Sequence, residues 1–219
     1  MQTTDKGSVL LIDKPHTWTS FDVVNKLRYK LKIKKIGHAG TLDPLATGLL
    51  IICTGKMTKR IEEFMGLEKE YTGTLVLGES TPSHDLETEV DTHRDIAHIT
   101  DDAIHHTARS FVGKIAQMPP QHSAIKVDGK RAYAFARKGK EVTLKSREVE
   151  IAAFEITAIR KPEVDFRVVC SKGTYVRSLV RDFGLALDNV AYMSKLCRTR
   201  IGPYRLDDAL TLDAIENRP

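Results

Sequence analysis

One carboxylate, Asp43, and one histidine, His38, stand in the stretch KKIGHAGTLDPLATGLLIICTGK, which runs from Lys34 to Lys56. Gly37, Gly40, Gly48 and Pro44 surround them, and the apolar run Leu49 to Ile52 follows. An ionised carboxylate can attack a glycosidic carbon as a nucleophile or remove a proton as a base. An Asp among glycines can also cap a turn, and spacing alone favours the cap. Three other features favour chemistry. Lys30, Lys32, Lys34 and Lys35 precede the loop, and Lys56, Lys59 and Arg60 follow it. A glycine turn entering a helix, CSKGTYVRSLVRDFG, presents Tyr175 and Arg177. The segment KEYTGTLVLG sets Tyr71 on a strand.

Other chemistries find less support. TGKMTKR suggests a phosphate loop, but position 50 is Leu and position 57 is Met, so the glycine and the hydroxyl that such a loop needs are missing. His93, His98, His105 and His106 lie close in sequence without H-E-x-x-H spacing, and they read as solvated side chains. The three cysteines, Cys53, Cys170 and Cys197, form no C-x-x-C pair and read as buried free thiols. No metal site is expected.

The elements that must position Asp43, Tyr71 and Arg177 follow from periodicity. VLLIDKP is a strand stopped by Pro15. TSFDVVNKLRYKLKI is an amphipathic helix with Thr19 and Asp22 as its cap and Val23, Leu27 and Leu31 on one face. LLIICTG is a short buried strand, and KMTKRIEEFMGLEK a helix capped at Thr58. EYTGTLVLGES alternates as a strand, and residues 82–99 form a polar excursion. TDDAIHHTARSFVGKI is a helix with Thr100 as N-cap. Turns follow at Pro119-Pro120 and Asp128-Gly129, and RAYAFARKG is a short helix. REVEIAAFEITAIR and EVDFRVVCSKG are strands, TYVRSLVRDFGLALD a helix, SKLCRTRIGPYRL a strand and LDDALTLDAIENR a last helix. Strict βαβ alternation is absent, which predicts an α+β fold with a mixed, largely antiparallel sheet.

With 219 residues, 41% hydrophobic and 29% charged, the chain can bury a real core. It lacks an apolar run long enough for a membrane span and a secretory leader, so a cytoplasmic protein is expected. A net charge of +5 points weakly to a polyanionic partner.

These motifs together resemble the TruB-type tRNA pseudouridine synthase family. LLIDKPHTWTSFDVV is similar to the family's opening strand and helix, and GHAGTLDPLATGLL to the signature that holds its catalytic aspartate. KEYTGTLVLG, CSKGTYVRSLVRDFG and SAIKVDGKRAYAFARKG match three more family blocks in order, so the resemblance runs from Leu10 to about Leu212. It implies that Asp43 is the catalytic residue, that His38 supports the opened RNA loop, and that Tyr71 packs on the target base. Tyr175 and Arg177 would wall the site, and Leu196 would contact the uracil. Two departures stand out. The family often has TDTxDxxG after the Tyr71 strand, whereas this chain has TPSHDLET, with Pro82 and Thr88 in place of the usual Asp and Gly and only Asp85 matching. His122 replaces a frequent Tyr.

The resemblance implies a single catalytic domain over residues 1–219, a long sheet flanked by helices with a central RNA-binding cleft, and no C-terminal PUA domain. The implied activity isomerises uridine 55 in the T-arm of tRNA to pseudouridine, with no cofactor, metal, membrane, guide RNA or obligatory protein partner. A single carboxylate suits a reaction to which no water adds. Arg177, at a helix start, is the expected cationic partner of Asp43, unless it is a surface arginine as Arg181 is expected to be. Lys126, Lys130, Arg131, Arg137, Lys138 and Lys140 are expected to flank the RNA. Two rivals are a dyskerin-like, guide-dependent synthase and a non-catalytic RNA-binding or tRNA-folding module.

Overall fold

The computed structural model describes residues 7–123, 126–127, 130–132, 135, 140 and 142–216. In chain order the elements begin β1 (Val9–Lys14), α1 (Ser20–Leu31), β2 (Ile36–Ala39), β3 (Thr47–Thr54), α2 (Ile61–Gly66) and β4 (Lys69–Leu77). There follow β5 (Glu79–Ser80), β6 (Thr92–His93), α3 (Asp101–Ser110), β7 (Gly113–Gln117), β8 (Lys126–Val127), β9 (Lys130–Arg131), β10 (Arg147–Arg160) and β11 (Glu163–Cys170). The chain closes with α4 (Val176–Ala186), β12 (Ala191–Ile201), β13 (Tyr204–Arg205) and α5 (Leu212–Glu216). The main sheet orders its strands β1-β3-β12-β4-β11-β10-β7, with β2 on β3 and β13 on β12. The pairs β1/β3, β2/β3, β10/β11, β10/β7 and β12/β13 are antiparallel, and β12/β3 is parallel. The α+β expectation with a mixed, largely antiparallel sheet is met. The chain forms two compact units: residues 1–72 with 195–219, and residues 73–194.

In the first unit β3 is the centre, because its run GLLIICT is buried on both faces. Leu50 and Ile52 pack with Ile12, Val23, Val24, Leu27, Leu212 and Ile215, so α1 and α5 cover one face. Leu49, Ile51 and Cys53 pack with Ala39, Phe64 and Ile201, so α2 covers the other. Each such aliphatic side chain contributes about 1.5–3 kcal/mol when fully buried. The Thr19 cap forms as expected: Asp22 N donates to Thr19 Oγ1 at 3.0 Å and Thr19 N to Asp22 Oδ2 at 2.9 Å.

In the second unit α3 packs on β10, and the phenylalanines form one cluster. Phe154 on β10 meets Phe166 and Phe183 edge to face at 5.7 and 5.6 Å. Such pairs add about 0.5–1.5 kcal/mol beyond their area burial.

Three expectations about elements change. Thr58 is not a cap: residues 55–60 form a 3-10 turn, and the Thr58 hydroxyl donates back to Gly55 O at 2.8 Å. The helix from Thr100 stops at Ser110, and Gly113, at φ +112, turns the chain into the strand β7. The excursion at 82–99 contains the short strand β6, which pairs back with β5, Ser80 opposite Thr92. Arg131, the first residue of RAYAFARKG, closes β9; most of the helix expected over that stretch, and the Asp128-Gly129 turn, lie outside the described residues. All three cysteines are free, Cys53 and Cys170 buried and Cys197 partly so. Among the described residues no helix is long and apolar enough to cross a membrane.

Candidate active site

Asp43 sits half-buried in the loop between β2 and β3. The loop is a tight turn, with Ala46 N donating to Asp43 O at 3.1 Å. Buried polar side chains from three elements hold its backbone. Lys14, at the end of β1, donates to Pro44 O at 3.1 Å, and also to Pro15 O and Trp18 O at 3.0 and 2.6 Å. Ser20, at the start of α1, accepts from Leu42 N at 2.9 Å and donates to Leu42 O at 3.2 Å. Arg198, on β12, donates to Gly40 O at 3.2 Å and Leu49 O at 2.8 Å, bracketing the loop at both ends. Lys14 and Arg198 are among the largest fully buried side chains. Hydrogen bonds from charged donors are worth about 1.5–3 kcal/mol each, so the loop is held firmly.

Gly48 permits this arrangement. Its φ is +99, and an added Cβ would lie 2.5 Å from Arg198 O and 2.8 Å from Arg198 N. Only a residue without a side chain lets β12 run this close beside the exit of the loop.

Lys14 is also an electrostatic neighbour of Asp43. Burial pushes its ammonium down to about 8 and the Arg198 charge adds to that, while the Asp43 carboxylate opposes both. The attraction is mutual, so a protonated Lys14 favours an ionised Asp43.

His38 lies half-buried on β2, opposite Ile52 of β3. Tyr71 is buried on β4, at 9% exposure. Leu196 is buried on β12, and its carbonyl accepts at 3.4 Å from the Oγ1 of Thr47, the residue where β3 begins. Asp43, His38, Tyr71 and Leu196 therefore all belong to the first unit.

Tyr175 and Arg177 belong to the second unit, at the start of α4. Buried Gln117, on β7, clamps the Tyr175 backbone: Tyr175 N donates to Gln117 Oε1 at 2.8 Å, and Gln117 Nε2 donates to Tyr175 O at 3.1 Å. Arg147 lies over the Tyr175 ring, 4.5 Å from its centroid, and donates to Gly173 O. Arg177 is 3% exposed, so it is not a surface arginine. It donates to Ser83 O at 3.0 Å and His122 O at 2.8 Å, and its Nε lies 3.5 Å from Asp85 Oδ2. Arg181 departs from the expectation of a solvated side chain: it is half-buried, paired with Asp182 at 2.7 Å.

The TPSHDLET departure is accommodated within its own loop. Thr88 Oγ1 accepts from Ser83 N at 3.1 Å and shares a 2.8 Å hydrogen bond with Ser83 Oγ. Asp85 O accepts from Thr81 Oγ1 and Ser83 Oγ at 2.6 and 3.0 Å. The loop thus delivers Asp85 and Ser83 O to Arg177. Between them His84 is pushed down to about 4 by burial and by the Arg181 and Arg177 charges, which keeps it neutral near pH 7.

Sequence reasoning missed Lys14, Ser20, Arg198, Gln117 and Arg147. Their partners are remote in the chain, by 149 residues for Arg198 and Leu49. Asp85, noted only as a matching position, is the buried partner of Arg177. Of the expected basic stretch, Lys140 is exposed; Arg137 and Lys138 and the side chains of Lys126, Lys130 and Arg131 lie outside the described residues. Among the described residues no three His, Cys, Asp or Glu side chains converge to hold a metal.

Comparison with known proteins finds relatives along nearly the whole chain. Residues 28–176 match the model of the TruB family pseudouridylate synthase N-terminal domain, and residues 177–218 that of the tRNA pseudouridylate synthase B C-terminal domain. A protein of Flavobacterium johnsoniae named tRNA pseudouridine synthase B is 54% identical over 218 residues, covering 96% of this chain and 95% of its own. One of Chloroherpeton thalassium with the same name is 50% identical, covering 95% and 89%. Among solved structures, a chain of a Cbf5-Nop10-Gar1 complex superposes with a TM-score of 0.74 at 32% identity, over 94% of this chain. This chain spans about half of that one, 52% of its length.

Proposed function

The chain belongs to the TruB family of pseudouridylate synthases, and from that premise we propose that it converts uridine 55 in the T-arm of tRNA to pseudouridine. The observation that carries the reading is the buried clamp on the Asp43 loop, which Lys14, Ser20 and Arg198 build around one half-buried carboxylate. The reaction breaks the N1–C1′ bond of uridine, turns the uracil and joins C5 to C1′. Atoms balance without an added reactant, so the protein must bind, orient and supply one charged group.

The target base leaves its stack, at a cost of a few kcal/mol, and needs a new surface. Tyr71 supplies it, since base–aromatic stacking is worth about 1–3 kcal/mol. The family resemblance assigns Leu196 to the uracil, Tyr175 and Arg177 to the wall of the site, and His38 to the opened loop. Asp43 is the reactive group. As a nucleophile it attacks the sugar or the base, and as a base it removes a sugar proton. In every case it must be ionised and immobile, and the protonated Lys14 and the three-sided clamp serve both needs.

The test uses T-arm RNA tritiated at uracil C5, because C5 exchanges its label for a carbon bond during turnover. Release by the protein alone, without guide RNA, is the expected result. Asp43→Asn is expected to bind the RNA and release no label. A well-folded wild type that binds the RNA and leaves the label in place would reduce the molecule to a binding or folding module. Near-normal release by Asp43→Asn would remove Asp43 from the chemistry.

A further inference from the structure

Positive charge is gathered in one part of the chain. Residues 23–61 hold nine lysines and arginines and a single acid, Asp43 itself, so the rest carries a net −3 against +5 overall. In sequence these cations flank the Asp43 loop. In space several of them lie at the opposite end of β2 and β3. The α1 N-terminus touches the loop through Ser20, and α1 then runs 12 residues away from it, about 18 Å at 1.5 Å per residue. From the loop exit β3 runs 8 residues to Thr54, about 23 Å at 3.3 Å per residue. Both paths end together: Ile36 pairs with Thr54, and Gly55 N donates to Lys35 O at 2.8 Å. Lys32, Lys34, Lys35 and Lys59 are exposed at this far end, with Tyr29 beside them at 88% exposure. The acids that border this stretch in sequence are Asp22, in the first turn of α1 beside the loop, and Glu62 and Glu63, and Glu63 is taken up by Arg60 at 2.8 Å.

We propose that this basic end of the first unit is a second RNA-docking surface, which holds phosphates of a helical part of the substrate RNA roughly 20 Å from the nucleotide at Asp43. The inference rests on the RNA-modifying reading given above. Lysines act here as point charges on the phosphate backbone, and the exposed Tyr29 offers a flat surface to a ribose or an end base. The surface reads no sequence; it measures whether the RNA extends far enough from the turned-out base.

The experiment compares Lys34→Glu/Lys59→Glu with a control of equal charge change in the second unit, Arg94→Glu/Arg109→Glu, each checked for retained thermal unfolding. Affinities for a full tRNA transcript and for a T-loop closed by a short stem are measured across a salt series. The Lys34/Lys59 variant is expected to lose about tenfold in affinity for the transcript, with a salt slope shallower by about one to two, and to bind the short hairpin within about twofold of wild type. Unchanged transcript affinity overturns the proposal. So does an equal loss in the control, which would mean bulk charge, or an equal loss on the short hairpin, which would place the lysines near Asp43. Failure of the tritium assay with these binding differences intact would sink the catalytic reading alone.

Discussion

Lys14 shows how much one buried charge can be asked to do. It is fully buried, donates to three carbonyls and feels the charge of the Asp43 carboxylate. Its pKa falls from 10.5 when free to about 8 in the fold. Between these values the unfolded chain binds more protons than the folded one, so this group's contribution to stability rises with pH across that window. Below about pH 8 the full penalty of a buried ammonium applies. Urea unfolding of the wild type and Lys14→Met at intervals from pH 7.5 to 10.5 is expected to show the wild type gaining on the variant as pH rises. A constant difference would mean that the lysine does not titrate in the fold. The residue carries little sequence signal. In IDKP it reads as a polar end to a strand, because its acceptor at Pro44 is 30 residues away. Asp43, His38 and Tyr175 could be singled out from local context and family motifs. Arg198 and Gln117 could not, since only the folded chain brings their partners to them.

At the scale of elements, β3 and its neighbours decide where the loop can be. The apolar run Leu49 to Ile52 marked β3 as buried, and the structure explains why no polar face interrupts it: cores lie on both sides. The run did not reveal the parallel neighbour. Cys197 and Arg198 of β12 pair with Thr47 and Gly48, and this register places the Arg198 guanidinium under the loop. Gly48→Ala tests the register. The new Cβ would meet backbone at 2.5 and 2.8 Å, at a φ of +99. The expected result is a loss of about 2–4 kcal/mol in urea unfolding together with reduced turnover. Wild-type stability in that variant would show that β12 can move away without penalty. The missed strand β7 has the opposite lesson. Gly113 in SFVGKI was absorbed into a helical pattern, although its positive φ is what starts the edge strand.

For the whole molecule, charge matters more by placement than by amount. A net +5 on 219 residues is modest, yet the excess lies within residues 23–61. RNA binding by the wild type is expected to weaken steeply with salt, with log affinity falling linearly against log salt concentration by about 0.7–0.9 per neutralised phosphate. A flat salt response in a filter-binding series would rule out a phosphate-dominated interface. The fold class was readable from the interspersed strands and helices. The two compact units were not, because β4 and β12 each pass from one unit into the other without a break in their patterns.

The position of β3 has one more consequence. The strand is paired by β1 from Gly48 to Cys53 on one edge, and on the other by β12 at Thr47 and Gly48 and by β2 from Ile51 to Thr54. Its amides at Ile51 and Ile52, in the part flanked by strands on both edges, should be among the slowest in the unit to trade hydrogen for deuterium, opening only when the unit itself opens. The residue proposed to do the chemistry hangs four positions ahead of Thr47, where that strand begins. An exchange map would then run from the most protected amides to the reactive loop within a few residues, and fast exchange at Ile51 would show that the loop lacks a rigid mount.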